Sequence, residues 1–308
     1  MDALSRILTA LRMEAGIFSR AELTAPWAVS SRSMSVALFH VVVRGSGRLE
    51  RDGAPDLPWT AGDLVVLPRG SAHVMAAGDP VAAAPIGSLP SVLGEDGLPC
   101  VQGGGGGEQT LLLCGTFRLH AEARHLVLGH LPTVLHVRPR LDGTAGWLDA
   151  SLRLLTAEQL ERSPGSAALS SRLAEMLFIQ VLRRFIVEKP EQAGWLSALA
   201  DPDLAPALSA MHADPAAEWT ASDLARRCAM SRSVFFDRFR GAVGDTPHDY
   251  LTRWRMVLAS VSLADGMSLG EAADRVGYGS ESSFSRAFKR TMGISPGAYR
   301  QGQRPDSR

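Results

Sequence analysis

The stretches SRSVFFDRFRGAVGDTPHDYL (231–251) and SESSFSRAFKRTMGISPGAYR (280–300) hold serine and arginine on short segments that share one punctuation. Ser231, Phe235, Phe239, Gly244, Pro247 and Tyr250 recur as Ser280, Phe284, Phe288, Gly293, Pro296 and Tyr299, each 49 positions on. Hydroxyl and guanidinium groups donate to base edges and to phosphate oxygens, so two such segments have the chemistry to read two faces of a duplex. A second chemistry is on offer upstream, where His40, His73 and Cys114 are of types that ligate zinc and, for the thiol, accept oxidation.

Helices must position the first set. Thr220 precedes ASDLARRC, whose Leu224 and Ala225 can face a core; Ala229 and Met230 turn the chain, and Ser231 can cap a following helix. In the second copy Ser268 caps LGEAADRV, GYG turns the chain with Gly277 free to take a positive φ, and Ser280 caps a helix to about Met292. Helix, tight turn, capped helix is the helix-turn-helix arrangement. Ala225 and Ala273 fall where the paired helices cross closely. Phe235 and Phe239 point inward, leaving Arg232, Ser233, Phe236, Asp237 and Arg240 elsewhere around the helix. Glu281, Ser282, Ser283, Ser285 and Arg286 play that part in the second copy, with Lys289 and Arg290 one turn later facing phosphate. A bundle with a solvated polar face explains one such helix equally well. Two at a fixed offset favour DNA, read at successive groove faces about 34 Å apart.

At 308 residues with formal net charge zero, the chain is long enough for about two domains. From Asp203 onward there are 14 Lys and Arg against 12 Asp and Glu. That small excess implies a moderate salt dependence of DNA binding, although Arg226, Arg227, Arg232, Arg238 and Arg240 cluster locally. Cys100, Cys114 and Cys228 form no CxxC pattern, so neither a disulfide scaffold nor a zinc finger is indicated. No window reaches the roughly 18 apolar residues of a membrane span, and a cytoplasmic home without membrane attachment is expected.

Short valine-rich runs broken by glycine between Val36 and Leu67 read as antiparallel strands, with a Gly-Asp turn in AGDLVVLP. Further strands are expected at Thr110–Leu119 and at 133–137, and the glycine run 103–107 reads as a flexible loop. After Gly146 the period becomes helical. Trp147, Leu148, Leu152, Leu155 and Leu160 mark one amphipathic helix, and Leu169, Leu173, Met176, Leu177, Ile179, Val181 and Leu182 a second that Lys189 and Pro190 end. Their apolar content suits either packing within the chain or a homodimer. Residues 188–206 read as the connector. The expected class is α+β in two domains: residues 1–195 form an antiparallel β-barrel followed by helices at about 145–188, and residues 203–300 are all-α with two helix-turn-helix units.

GDTPHDYLTRWRM and AADRVGYGSESSFSRAFKRTMGISPGAYR resemble the DNA-binding domain of the AraC/XylS family of bacterial transcription regulators over residues 204–300. The resemblance implies seven helices, with a long one at about Pro247–Leu263 bridging the two units. It places Ser233, Phe236 and Asp237 at base-facing positions of the first recognition helix and Glu281, Ser282, Ser283, Ser285 and Arg286 at those of the second. Phe236 departs from the polar residue common there. The strands of residues 36–137, through AGDLVVLPRGSAHV, resemble a cupin-like domain that senses or dimerises. The family implies double-stranded DNA and RNA polymerase as partners, a small-molecule or oxidant effector, and activation in preference to repression.

A metal-dependent cupin enzyme with an accessory helical domain is the alternative, and it needs a His-x-His pair with a later Glu and His. Here His40 and His73 stand apart, so no catalytic residue and no obligatory cofactor is assigned. Zinc on His40, His73 and Cys114, a hydrogen-bonded core histidine pair, an organic effector in the barrel, and a redox-active Cys114 paired with Cys100 all stay open.

Overall fold

The computed structural model describes residues 2–10, 12–94, 97–119, 127–138, 146–161 and 163–302, with no side-chain account for 147–149 and 160. The expected helical contributions of Trp147, Leu148 and Leu160 lie outside that description. The chain divides into two compact units. One comprises Met13–Leu119 and Leu131–Phe185, the other Met1–Arg12, His120–His130 and Ile186–Arg308.

Among the described residues the first unit holds twelve strands: β1 (Glu14–Thr24), β2 (Trp27–Ser31), β3 (Ala37–Arg44), β4 (Ser46–Arg51), β5 (Ala54–Thr60), β6 (Leu64–Leu67), β7 (His73–Ala77), β8 (Ala84–Pro85), β9 (Ser91–Leu93), β10 (Pro99–Gly104), β11 (Gln109–Arg118) and β12 (Leu135–Val137). They form a seven-stranded sheet in the order β12-β6-β3-β11-β1-β10-β9 and a five-stranded sheet in the order β5-β4-β7-β2-β8. Neither sheet closes on itself, and β1 with β10 and β2 with β8 pair parallel. The expected closed antiparallel barrel is therefore corrected to two facing open sheets of mostly antiparallel strands.

Residue alternation explains the layering. In β3 the run ALFHVVVR is buried on both faces through Val42 because β6 and β11 flank it and layers cover both sides. Leu38, His40 and Val42 turn one way; Leu38 and Val42 join Val65, Leu112, Trp59 and Met75 in a core that draws on both sheets. Phe39 turns the other way onto Phe117 at 4.5 Å, and Phe117 meets Phe178 at 4.7 Å. Phe178 sits on the second of two helices, α2 (Trp147–Glu161) and α3 (Ser166–Glu188), so a helix covers the outer face of the large sheet. Each such buried aromatic or aliphatic side chain contributes about 1.5–3 kcal/mol.

The predicted Gly-Asp turn is present: Asp63 Oδ2 accepts from the Thr60 amide at 3.0 Å and from His136 Nε2 at 2.8 Å, tying β5, β6 and β12 together. The glycine run is not a loose loop. Gly103 and Gly104 end β10, and the amides of Gly105 and Gly107 donate to the carbonyls of Thr24 and Ala25, both at 2.8 Å. A Cβ on Gly104 would overlap the Thr24 carbonyl, so the run is glycine because the β1–β2 turn lies against it.

The second unit begins with α1 (Ala3–Ala10), which packs against α4 (Ala205–Ala213). It continues with α5 (Ala221–Arg227), α6 (Arg232–Val243), α7 (Pro247–Ala264), α8 (Leu269–Arg275), α9 (Glu281–Met292) and α10 (Pro296–Gly302). Residues 203–302 thus hold seven α-helices, as the resemblance implied. The long α7 serves both copies: Tyr250 stacks edge-on to Phe239 at 5.8 Å in the first, and Met256, Ala259 and Leu263 join Phe284, Phe288 and Tyr299 in the second.

Candidate nucleic-acid interface and ligand cavity

Capping fixes where the two presenting helices start. Thr220 and Ser268 each form a reciprocal capping box, with Asp223 and Glu271. Ser231 and Ser280 accept from the amides of Val234 and Ser283, both at 3.3 Å, opening α6 and α9. The turn between α5 and α6 puts Ala229 at φ 52°, and the matching turn puts Gly277 at φ 78°. Ala225 and Ala273 are buried at the predicted crossings. A longer side chain there would push the helices apart.

On α6, Phe235 and Phe239 are buried while Arg232, Ser233, Asp237 and Arg240 are exposed and Phe236 is half-buried. On α9, Phe284, Ala287 and Phe288 are buried, leaving Glu281, Ser282, Arg286, Lys289 and Arg290 exposed and Ser283 and Ser285 half-buried. The local arginine cluster sorts itself by partner. Arg226 pairs with Asp223, Arg238 reaches Asp203 at 2.6 Å and Asp201 at 3.3 Å, and Arg227 lies 4.8 Å over the Trp219 ring. Among the described residues Arg232, Arg240, Arg286, Lys289 and Arg290 make no ion pair, so their charges stay available to a polyanion. Ser283 is already committed: its hydroxyl donates to the Ser280 carbonyl at 2.9 Å and accepts from Ser280 Oγ at 2.9 Å. Glu281 and Ser282 can accept from, and Arg286 can donate to, base edges.

In the first unit, Cys114 on β11 stands directly opposite His40 on β3 and Ser19 on β1 in the strand registers. His40 Nδ1 lies 3.1 Å from Cys114 Sγ, His40 Nε2 lies 3.0 Å from His73 Nε2 across to the small sheet, and His73 Nδ1 lies 2.9 Å from the Ser71 carbonyl. Burial holds His40 down to about 3, with His73 adding to the effect, and burial lowers His73 against the opposing pull of the Ser71 carbonyl. Both rings are neutral, and one assignment of protons satisfies the whole chain. The Ser71 carbonyl only accepts, so His73 Nδ1 carries hydrogen and its Nε2 is bare. The proton between the two Nε2 atoms then belongs to His40, whose bare Nδ1 accepts from the Cys114 thiol. Burial pushes that thiol up to about 12, opposed by a hydrogen bond from Ser19.

These three side chains do come together, but in a line. Each His40 nitrogen serves a different neighbour, so they do not converge on a point where zinc could sit, and among the described residues no group of three or more His, Cys, Asp or Glu is placed to hold a metal. Of the alternatives left open by the sequence, the geometry matches the hydrogen-bonded histidine pair beside a core cysteine. A Cys100–Cys114 pair is excluded as well. Cys100 lies in β10 rather than in a loop and pairs with Arg20 on one side of β1, whereas Cys114 pairs with Ser19 on the other. A strand separates them, and adjacent partners put their side chains on opposite faces, beyond disulfide reach. Cys228 is a buried residue of the helical unit.

His40 and Cys114 line a cavity of about 660 Å³ whose wall is otherwise largely apolar, with Leu38, Met75, Leu112 and Trp27 among its residues. Its polar groups include Ser19, Ser30, Ser31 and the exposed Arg32. Residues 14–32 carry no local strand signal, because EAGIFSRAELT mixes charged, small and apolar residues without a clean period of two and WAVSS is only five residues long. No helix among the described residues is long and apolar enough to cross a membrane.

A family model described as "Cupin" matches residues 2–186, and one described as "Helix-turn-helix domain" matches residues 224–302. An AraC-like transcription regulator of Streptomyces lividans is 36% identical over 304 residues, covering 98% of each chain. The HTH-type transcriptional regulator AlkR of Acinetobacter baylyi is 30% identical over 307 residues, covering 98% of this chain and 99% of that one. The RCS-specific HTH-type transcriptional activator RclR of Escherichia coli is 30% identical over 305 residues, covering 98% of each. Matched along its whole length and carrying a doubled, capped helix-turn-helix unit, the chain belongs to the AraC-like transcription regulators, with a cupin-type N-terminal part and a helix-turn-helix DNA-binding part.

Proposed function

We propose that α6 and α9 read double-stranded DNA at two successive major-groove faces while the cavity in the β unit takes a small, mostly apolar effector that alters the balance of DNA-bound states. The observation that carries the reading is the repeat itself: two polar helices, each cap-started and phenylalanine-anchored, on the shared α7. Arg232, Ser233, Phe236, Asp237 and Arg240 serve the first site; Glu281, Ser282, Ser285 and Arg286 the second; Lys289 and Arg290 hold phosphate. Ser283 acts through the cap rather than on a base. Residues before about 195 sense and residues 203–300 bind DNA.

The chain acts without catalysis, as an activator that engages RNA polymerase in the cytoplasm; the name of the Escherichia coli relative favours activation. Leu154 on α2 and Leu169 and Met176 on α3 keep large apolar side chains exposed, which supports a homodimer through these helices. Selection of bound fragments from a random duplex pool tests the reading. One enriched motif with two blocks about ten base pairs apart is expected. Absence of any motif, with or without apolar compounds from a small panel, contradicts it.

A further inference from the structure

We propose that the cavity is a covalent capture site, in which Cys114 adds through its sulfur to apolar α,β-unsaturated carbonyl compounds while His40 and His73 carry its proton away. The proposal rests on the preceding reading of the cavity as the effector site and names the chemical class it takes.

The hydrogen-bond chain supplies the polarity. Cys114 donates to a neutral imidazole and receives from Ser19, so the sulfur has a base for its proton and a donor for the charge that develops on it. His40 passes a proton only if His73 can take one, and His73 Nε2 is the bare atom at 3.0 Å. On addition the Sγ–C bond forms at the β-carbon and the C=C π pair moves onto the carbonyl oxygen as an enolate. The thiol proton goes to His40 Nδ1 as the His40 Nε2 proton goes to His73 Nε2, leaving His73 an imidazolium still bonded to the Ser71 carbonyl. Return of one proton to the α-carbon completes the addition, with no oxidant, reductant or leaving group required.

Two further observations select addition over disulfide chemistry. Cys100 faces away across β1 and Cys228 belongs to the helical unit, so no second sulfur within the β unit is placed to resolve an oxidised Cys114. Addition needs one thiol only. The wall around Cys114 is apolar through Leu38, Met75 and Leu112, which suits an alkyl tail and leaves Ser30, Ser31 and Arg32 for the carbonyl end. Burial leaves almost no free thiolate near neutrality, so the relay is what makes the sulfur available.

The test treats the full chain with trans-2-octenal, reads the adduct by intact mass and peptide mapping, and follows cavity occupancy by displacement of an environment-sensitive apolar dye, with 1-octanol as the saturated control. A single adduct on Cys114 is expected, lost in Cys114→Ala and kept in Cys100→Ala. Its rate should stay nearly level between about pH 6 and about pH 9, whereas His73→Gln, still binding the dye, should react about 10²-fold more slowly and speed up with pH. Dye displacement by 1-octanol without any Cys114 adduct overturns the proposal and leaves the effector reading standing. An adduct on Cys100 or Cys228 instead, or an unchanged rate in His73→Gln, overturns it too. Failure of both compounds to displace the dye overturns the effector reading beneath it.

Discussion

Ser231 and Ser280 hold equivalent places 49 residues apart: each hydroxyl accepts the backbone amide three residues on at 3.3 Å, and each opens a twelve-residue helix closed by a left-handed glycine, Gly244 or Gly293. These two equivalent helices are therefore cut to one length by one device. Ser231→Ala and Ser280→Ala should each cost about 1 kcal/mol in chemical denaturation, because an orphan amide loses its acceptor. Ser280→Ala should cost the more, since the Ser280 hydroxyl also donates to Ser283 Oγ at 2.9 Å.

Ala273 is buried where α8 crosses α9, and its carbonyl accepts the Tyr278 amide at 3.0 Å. Ala273→Leu should destabilise the helical unit by about 1–3 kcal/mol through overpacking and weaken DNA binding, with dye binding in the cavity retained. Thermal melts followed by tryptophan fluorescence, with a parallel DNA titration, check this.

Acid should destabilise the protein through two histidines. Burial lowers His40 and His212 to about 3, His212 also feeling Arg6, whereas an unfolded histidine titrates near 6.5. Between those values the unfolded chain binds protons that the folded one refuses, so stability is full above about pH 6.5 and falls as pH drops, by about 1 kcal/mol per pH unit for each residue. His212→Phe should flatten the dependence for the helical unit. A stability that rises from pH 6.5 to pH 5 would refute the assignment.

Among the described residues the charge pairing separates arginines whose cations are already engaged, such as Arg238, from those left without an ion pair, such as Arg290. Arg290→Ala should lower the slope of log affinity against log salt by about 0.9, while Arg238→Ala, whose cation already serves Asp201 and Asp203, should leave that slope unchanged. Binding measured at four or five salt concentrations decides it. A wild-type slope that implies ten or more neutralised phosphates per chain would contradict the near-neutral surface.

The helical half was legible because its determinants are local: Ser231, Ser268 and Ser280 cap within three residues, and Ala229 and Gly277 turn the chain where the spacing placed them. The β half was only partly so. β1 is an interior strand carrying Arg20, which is buried because its guanidinium reaches the Gln159 carbonyl at 3.1 Å, a partner 139 residues away. The meeting of His40 with Cys114 depends on the register of β3 against β11, which no neighbouring residue reports. The glycine run carries no local sign of its anchoring for the same reason, since Thr24 and Ala25, which accept its amides, are far off in sequence.

The most direct test is pooled selection of bound duplexes by the wild type and by Arg286→Ala, compared position by position. Base reading by α9 predicts that the variant loses about 1–3 kcal/mol of discrimination at one or two adjacent positions at one end of the motif, with the block read by α6 intact. A uniform loss of affinity with every position's preference unchanged would make Arg286 a phosphate contact and contradict α9 as the reader of that end.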